Sequence, residues 1–258
     1  EMTPIGSGRS IESLREISAK SGVNIIAATG FHKSEFYDKS HFLWKYDTEQ
    51  LAELLVADVC DGIDIYDYAG PIVKRSEGRA GVIKAACSLQ SITTVEKKEL
   101  RAAAIASNIT GAPVSLHLEK GTMALEAIDI LLENGAKPNN IILGHIDRNP
   151  DYYYHEQIAK RGVFLIYDGA ARVKYYTDEV IARLIEHMVE AGFEDQLLMG
   201  ADLGGKSYFR SYEGGPGLGY NLGIFTPRLL ASGISQQTVD KMLIHNARRA
   251  FTNKKAGA

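Results

Sequence analysis

The chain has 258 residues, 45% hydrophobic and 24% charged, with a formal net charge of −3. This is ordinary globular composition and gives no reason to expect nucleic acid or an anionic membrane as a partner. Its two cysteines, Cys60 and Cys87, form neither a metal pair by spacing nor a disulfide framework, so a reducing, cytoplasmic setting is expected. No apolar run approaches the roughly 18 residues of a membrane span, and the opening residues carry no signal-peptide pattern.

Strand and helix alternate with a steady beat. A helix is expected over 9–21, with Ile11, Leu14, Ile17 and Ser18 on one face and Gly22 as its stop. "VNIIAATG" (23–30) reads as a β-branched strand, and "AGVIKAACS" (80–88) is the next clear one. "APVSLHLEKG" (112–121), "NNIILGHIDR" (140–148), "GVFLIYDG" (162–169) and "DQLLMGADLGG" (195–205) follow. Between them, 122–134 and 177–191 carry apolar residues at helical spacing and end in "NG" and Gly192. Short continuous apolar strands suit a parallel sheet covered on both faces, and the alternation argues for α/β architecture. The length matches one (β/α)8 TIM barrel of about 250 residues. A single barrel domain over 1–258 is therefore expected, with the longest irregular stretches at 31–47, 61–79 and 203–222.

Lys84 interrupts a strand where another apolar residue would cost less. A buried ammonium without a partner is unfavourable, so such a lysine is paired, neutral or chemically altered. Lys84, His117, His145 and Asp202 all fall at or near strand C-termini, 33, 28 and 57 residues apart. One unit of a (β/α)8 barrel averages about 31 residues, so these gaps read as one unit, one unit and two units, skipping strand 162–168. A barrel gathers those strand ends around one mouth, where its chemistry occurs. Two histidines and a carboxylate suit zinc, and also manganese, cobalt or nickel. A cationic lysine would repel such ions; a lysine that has reacted with CO2 is an anion able to bridge two of them. For each residue alone the plain reading is structural: a lysine paired with a buried acid, core histidines, a turn-capping aspartate. The ordered set favours ligands. Asp147 either orients a ligand or begins a loop. His32, His41, His155, His187 and His245 are expected to be structural or exposed.

"AGVIK", "VSLHLEKG", "IILGHIDRNPD" and "MGADLGG", in this order and spacing, resemble the phosphotriesterase-like branch of the amidohydrolase superfamily, lactonase-type members included. "VNIIAATGFH" and "MLIHNARRAF" resemble it too, so the likeness covers essentially the whole chain. It implies a barrel with two divalent ions, Lys84 as a carboxylated bridge (N6-carboxylysine), and His117 and His145 as ligands of the second ion. It implies Asp202 as ligand of the first and as the group that takes the proton from the attacking hydroxide. The family also carries a His-x-His pair on its first strand. None occurs among the seven histidines here, and "EMTP" reads as the tail of the second strand, so an N-terminal region including the first strand is expected to be missing from this chain.

The resemblance leaves phosphate esters, lactones and amides open as substrates. The loops "GAARVKYY" (169–176) and "GGKSYFRSYEGG" (204–215) carry Arg172, Lys174, Lys206, Tyr208, Arg210 and Tyr212. Barrels often bind phosphate at these two loops, and Arg and Lys are the natural donors. An anionic small molecule, a phosphorylated sugar lactone, is the expected substrate, held by Lys174, Lys206, Tyr208 and Arg210. The alternatives are a phosphotriesterase or carboxylesterase of the same family, a Schiff-base aldolase using Lys84, and a non-catalytic sugar-phosphate-binding barrel. A homodimer is left open.

Overall fold

The computed structural model describes residues 1–253. Strands and helices alternate through the chain: α1 (Ile11–Ser21), β1 (Ala28–Gly30), α2 (Thr48–Cys60), β2 (Val82–Cys87), α3 (Thr94–Thr110), β3 (Val114–Leu118) and α4 (Ala124–Glu133) come first. β4 (Ile141–Gly144), α5 (Tyr152–Ala159), β5 (Phe164–Tyr167), α6 (Asp178–Glu190) and β6 (Leu197–Met199) follow. No helix among the described residues is long and apolar enough to cross a membrane.

The described residues divide into two compact units: residues 1–119 and 123–142 with 251–253, and residues 120–122 with 143–250. In the first, β1 pairs parallel with β2 and β2 with β3. Their residues are almost wholly inaccessible, which explains why these strands read as continuous apolar runs rather than alternating ones. α2 and α3 both start on capping boxes, Asp47 with Gln50 and Thr93 with Glu96, each satisfying backbone donors the first turn cannot pair internally. In the second unit β5 pairs parallel with β6. There Asn246 ties the closing helical segment to β6, its Nδ2 donating to the Leu197 carbonyl at 2.8 Å.

The strands are shorter than the apolar runs suggest. Only 28–30 of the run 23–30 is strand, because Val23 and Ile26 lie on the surface. α1 ends where expected but starts two residues later than 9–21, after Ser10 as its cap; only Ile11 of its apolar face is buried and Ile17 is exposed. Residues 1–4 form no assigned strand; the Ile5 N–H donates to the Gly30 carbonyl at 2.9 Å. Gly30 itself has φ +101°, and a Cβ there would meet the Lys84 carbonyl at 2.0 Å, so glycine is required for β1 to lie against β2.

The segment 61–79, one of the long irregular stretches, is tied down by charge. Asp58 of α2 accepts from Arg9 at 2.7 Å, Thr29 at 2.7 Å, Tyr68 at 2.6 Å and Arg75 at 2.7 Å. Asp64 accepts from the Tyr68 and Lys74 amides. Asp58 is fully buried, and this saturation of its oxygens is what makes a carboxylate tolerable there.

Candidate metal centre

In the first unit, Lys84 is the third residue of β2 rather than its end, and it is half-buried rather than enclosed. Its Nζ donates to the Met2 carbonyl at 2.9 Å. Lys84 pairs with Ser115 and Ala86 with His117. Since side chains alternate along a strand, Lys84 and His117 share one face of the β2–β3 pair, one step apart. His117 Nε2 lies 3.1 Å from Glu119 Oε2, and Glu119 also receives Lys33 Nζ at 2.7 Å. Burial alone would raise the Glu119 pKa; the hydrogen bonds and charges of Lys33 and His117 outweigh it and bring the carboxyl down to about 2. The His32 ring packs against the His117 ring at 4.5 Å, with Phe36 stacked on His32 at 4.5 Å.

In the second unit, His145 follows β4 in the left-handed region, φ 65°. That turn aims its Nδ1 at Asp168, 2.8 Å from Oδ2 and 2.9 Å from Oδ1, while the His145 amide donates to Oδ2 at 3.1 Å. Asp168 directly follows β5 and is buried; burial would raise its pKa, but His145 and then Arg148 hold it below the usual carboxylate range. Asp202, three residues past β6 and also left-handed at φ 45°, accepts through Oδ2 from Arg148 and from Arg172, each at 2.5 Å. Arg172 additionally grips the Asp202 carbonyl. Both guanidiniums lie over Tyr175, at 4.3 and 5.5 Å, and Arg172 lies 4.9 Å from the Tyr208 ring.

Ligand atoms of His145, Asp168 and Asp202 all fall within 4.8 Å of one another, a spacing that fits one divalent ion. Both Asp168 oxygens face His145, so Asp168 also fixes that ring in the way outer carboxylates do at metal-bound histidines. Asp147 sits behind them. Its Oδ1 accepts the Asp168 amide at 3.2 Å, and burial together with the Asp168 charge pushes its pKa up to about 7. A Cβ on Gly169 would meet Asp147 Oδ2 at 2.2 Å, so that glycine makes room for the second carboxylate.

Of the four expected ligands, the structure thus places Lys84 and His117 on one face in the first unit and brings His145 and Asp202 together in the second. Asp168 was missed, although it ends the very strand the 57-residue gap skips. Arg148, Glu119 and Lys33 were missed as well; the first two sit inside quoted motifs and Lys33 directly follows one, but nothing in a sequence reveals an ion-pair partner. The loop residues expected to hold substrate are spread out. Lys174 is exposed near the Tyr175 ring, Lys206 near the Tyr212 ring, and Arg210 donates to the Pro216 carbonyl at 3.1 Å. His155 is structural as expected: buried, its ring nitrogens meet Tyr167 and the carbonyls of Ile146 and Asn149.

A family model, the phosphotriesterase family, matches residues 1–251. The chain belongs to the phosphotriesterase family. It is therefore a hydrolase on an α/β barrel scaffold of the binuclear-metal type. A phospho-furanose lactonase of Mycoplasmopsis synoviae (strain 53) is 39% identical, over 98% of this chain and 75% of the relative. The crystal structure of a lactonase from Listeria monocytogenes superposes with a TM-score of 0.91 at 33% identity, covering 99% of this chain and 81% of that one. The phosphotriesterase homology protein of Escherichia coli, complexed with phosphate in its active site, gives a TM-score of 0.90 at 28% identity over 98% and 83% of the two chains.

Proposed function

We propose that this family member is a metal-dependent lactonase that opens the ring of a phosphorylated sugar lactone in the cytoplasm. The observation that carries the reading is the His145–Asp168–Asp202 cluster, three ligand atoms within 4.8 Å, in a chain whose relatives include a phospho-furanose lactonase. Divalent ions bound here, zinc being the best match to these donors, would polarise the lactone carbonyl and lower the pKa of the attacking water. In the second unit His145 and Asp202 would hold a divalent ion, with Asp168 fixing the His145 ring. In the first unit Lys84 and His117, on one face of the β2–β3 pair, would supply ligands of their own. Lys84 would do so as a carbamate: the ammonium first loses a proton, the free amine nitrogen then bonds the carbon of CO2, and the second N–H proton released leaves an anion, so a cation that would repel a metal becomes a carboxylate-like ligand.

Asp202 is the proton acceptor of the reaction. Arg148 and Arg172 both bind its Oδ2, which holds the carboxylate in one orientation while Oδ1 carries neither bond. Lys174, Lys206, Tyr208 and Arg210 hold the phosphate, away from the bond that breaks. A neutral lactone or a phosphotriester offers these cations nothing to bind, which is why the phosphorylated substrate is preferred.

The test is metal-linked. Lys84→Ala should lose most of its bound metal and its lactonase activity, and bicarbonate should speed reconstitution of the unaltered protein from its metal-free form. Full metal content in Lys84→Ala, with reconstitution indifferent to CO2, would refute the carbamate. Borohydride reduction in the presence of a carbonyl substrate should leave Lys84 unmodified; a trapped adduct would favour the aldolase.

A further inference from the structure

The contacts around His117 form a chain that the hydrolytic reading does not use. Glu119 lies two residues past His117, beyond the end of β3, and its Oε2 meets both His117 Nε2 at 3.1 Å and Lys33 Nζ at 2.7 Å. Lys33 is itself nearly buried and shared with Glu35 at 2.6 Å. The same short segment supplies the ring wall, because His32 packs on the His117 imidazole and Phe36 on His32. Lys33 is further located through its amide, which donates to His32 Nδ1 at 2.7 Å. Residues 32–36 therefore restrain His117 twice, by ring packing and by charge acting through Glu119.

We infer that Glu119, anchored by Lys33, is a positioning residue that orients His117 for metal binding. The inference rests on the proposed reading of His117 as a ligand. An imidazole that donates one N–H to a carboxylate has its tautomer and ring angle fixed, and its other nitrogen becomes a stronger donor to a metal. Lys33 matters because a carboxylate held by a buried ammonium cannot swing toward the metal and act as a competing ligand. Asp168 stands to His145 in the same relation, also backed by a cation, Arg148, at 3.6 Å. Two independent histidines with the same arrangement argue for a shared purpose over a chance surface pair. A purely structural role would show as a loss of stability in the metal-free protein and leave zinc affinity unchanged.

The experiment is a competition titration of zinc against a chromophoric chelator, using the whole chain, with thermal unfolding of the metal-free protein measured in parallel. Glu119→Gln keeps the side-chain shape and removes the charge. Loss of an outer carboxylate costs about 10- to 100-fold in metal affinity, so one zinc should weaken by that factor while metal-free unfolding stays where it was. Glu119→Asp, which restores the charge, should recover part of the affinity. If Glu119→Gln does not fold, Lys33→Met reads the same chain from its far end and should weaken zinc several-fold. Unchanged zinc affinity in Glu119→Gln, or in Lys33→Met where the first variant is lost, overturns the positioning role and leaves the metal reading intact. Failure of the unaltered protein to bind zinc overturns both.

Discussion

Two carboxylates in this chain show how environment decides what an acid does. Asp202 is half-exposed and gripped by two guanidiniums, and it is the group proposed to accept the proton. General-base steps contribute about 10²- to 10⁴-fold, so Asp202→Asn should lower kcat by about that factor in steady-state assays of the metal-loaded protein; retained turnover would route the proton elsewhere. Glu99 is the opposite case. It is 1% exposed, both its oxygens are buried without a hydrogen-bond partner, and burial followed by the Glu96 charge raises its pKa well above the usual carboxyl value. A carboxyl raised in the folded state imposes no penalty below its unfolded pKa, where both states are protonated. Stability is lost as pH rises toward the folded pKa, because only the unfolded chain ionises freely. Glu99→Gln should therefore raise Tm at pH 8 and leave it unchanged near pH 4. Relief of about 1 kcal/mol corresponds to about 2–4 °C in a chain of this size, within reach of differential scanning calorimetry. At this scale the sequence was legible where residue type and spacing coincide, as at His145 and Asp202. It was silent where a role depends on a distant partner: Glu119 stands in "HLEKG" as an ordinary loop acid until Lys33 is seen against it.

Elements were easier to locate than to bound. The run 80–88 and strand β2 agree within two residues at the N-terminal end and one at the C-terminal end, because every apolar side chain of that run is buried while Lys84 is half-buried. The run 23–30 overshot because its first half is apolar yet faces outward. Caps set the helices more firmly. Thr93 accepts the Glu96 amide while Glu96 accepts the Thr93 amide at 2.9 Å and the Ser88 hydroxyl at 2.6 Å. Glu96 thus joins the start of α3 to the end of β2. Loss of an N-cap side chain costs about 0.5–2 kcal/mol, and Thr93→Ala should show that loss in urea unfolding at an unchanged m-value. The two basic loops carry the substrate claim. A charge-assisted hydrogen bond contributes about 1.5–3 kcal/mol, equivalent to about 10- to 150-fold. Alanine at Lys174, Lys206 or Arg210 should lower kcat/KM by that factor on a phosphorylated lactone, and hardly at all on the same lactone without phosphate. Equal losses on both would make these side chains loop-folding residues.

For the molecule as a whole, the beat of strand ends carried most of the reading. Lys84, His117, His145 and Asp202 were singled out because a barrel repeats every 30 or so residues; the structure groups His145 and Asp202 with Asp168, which lay on that beat in the one strand passed over. The binuclear centre of the family, the cluster of His145, Asp168 and Asp202, and the shared face of Lys84 and His117 lead to one central claim: this chain opens phosphorylated sugar lactones with the help of bound metal. The direct measurement is lactone hydrolysis followed by proton release, with zinc-loaded and chelator-stripped protein, on a phosphorylated furanose lactone and its unphosphorylated counterpart. Turnover is expected only with metal, with a kcat/KM at least about 10-fold higher on the phosphorylated lactone, the lower limit set by a single phosphate contact. Hydrolysis that survives metal removal, or zinc-loaded protein that opens neither lactone, would contradict it.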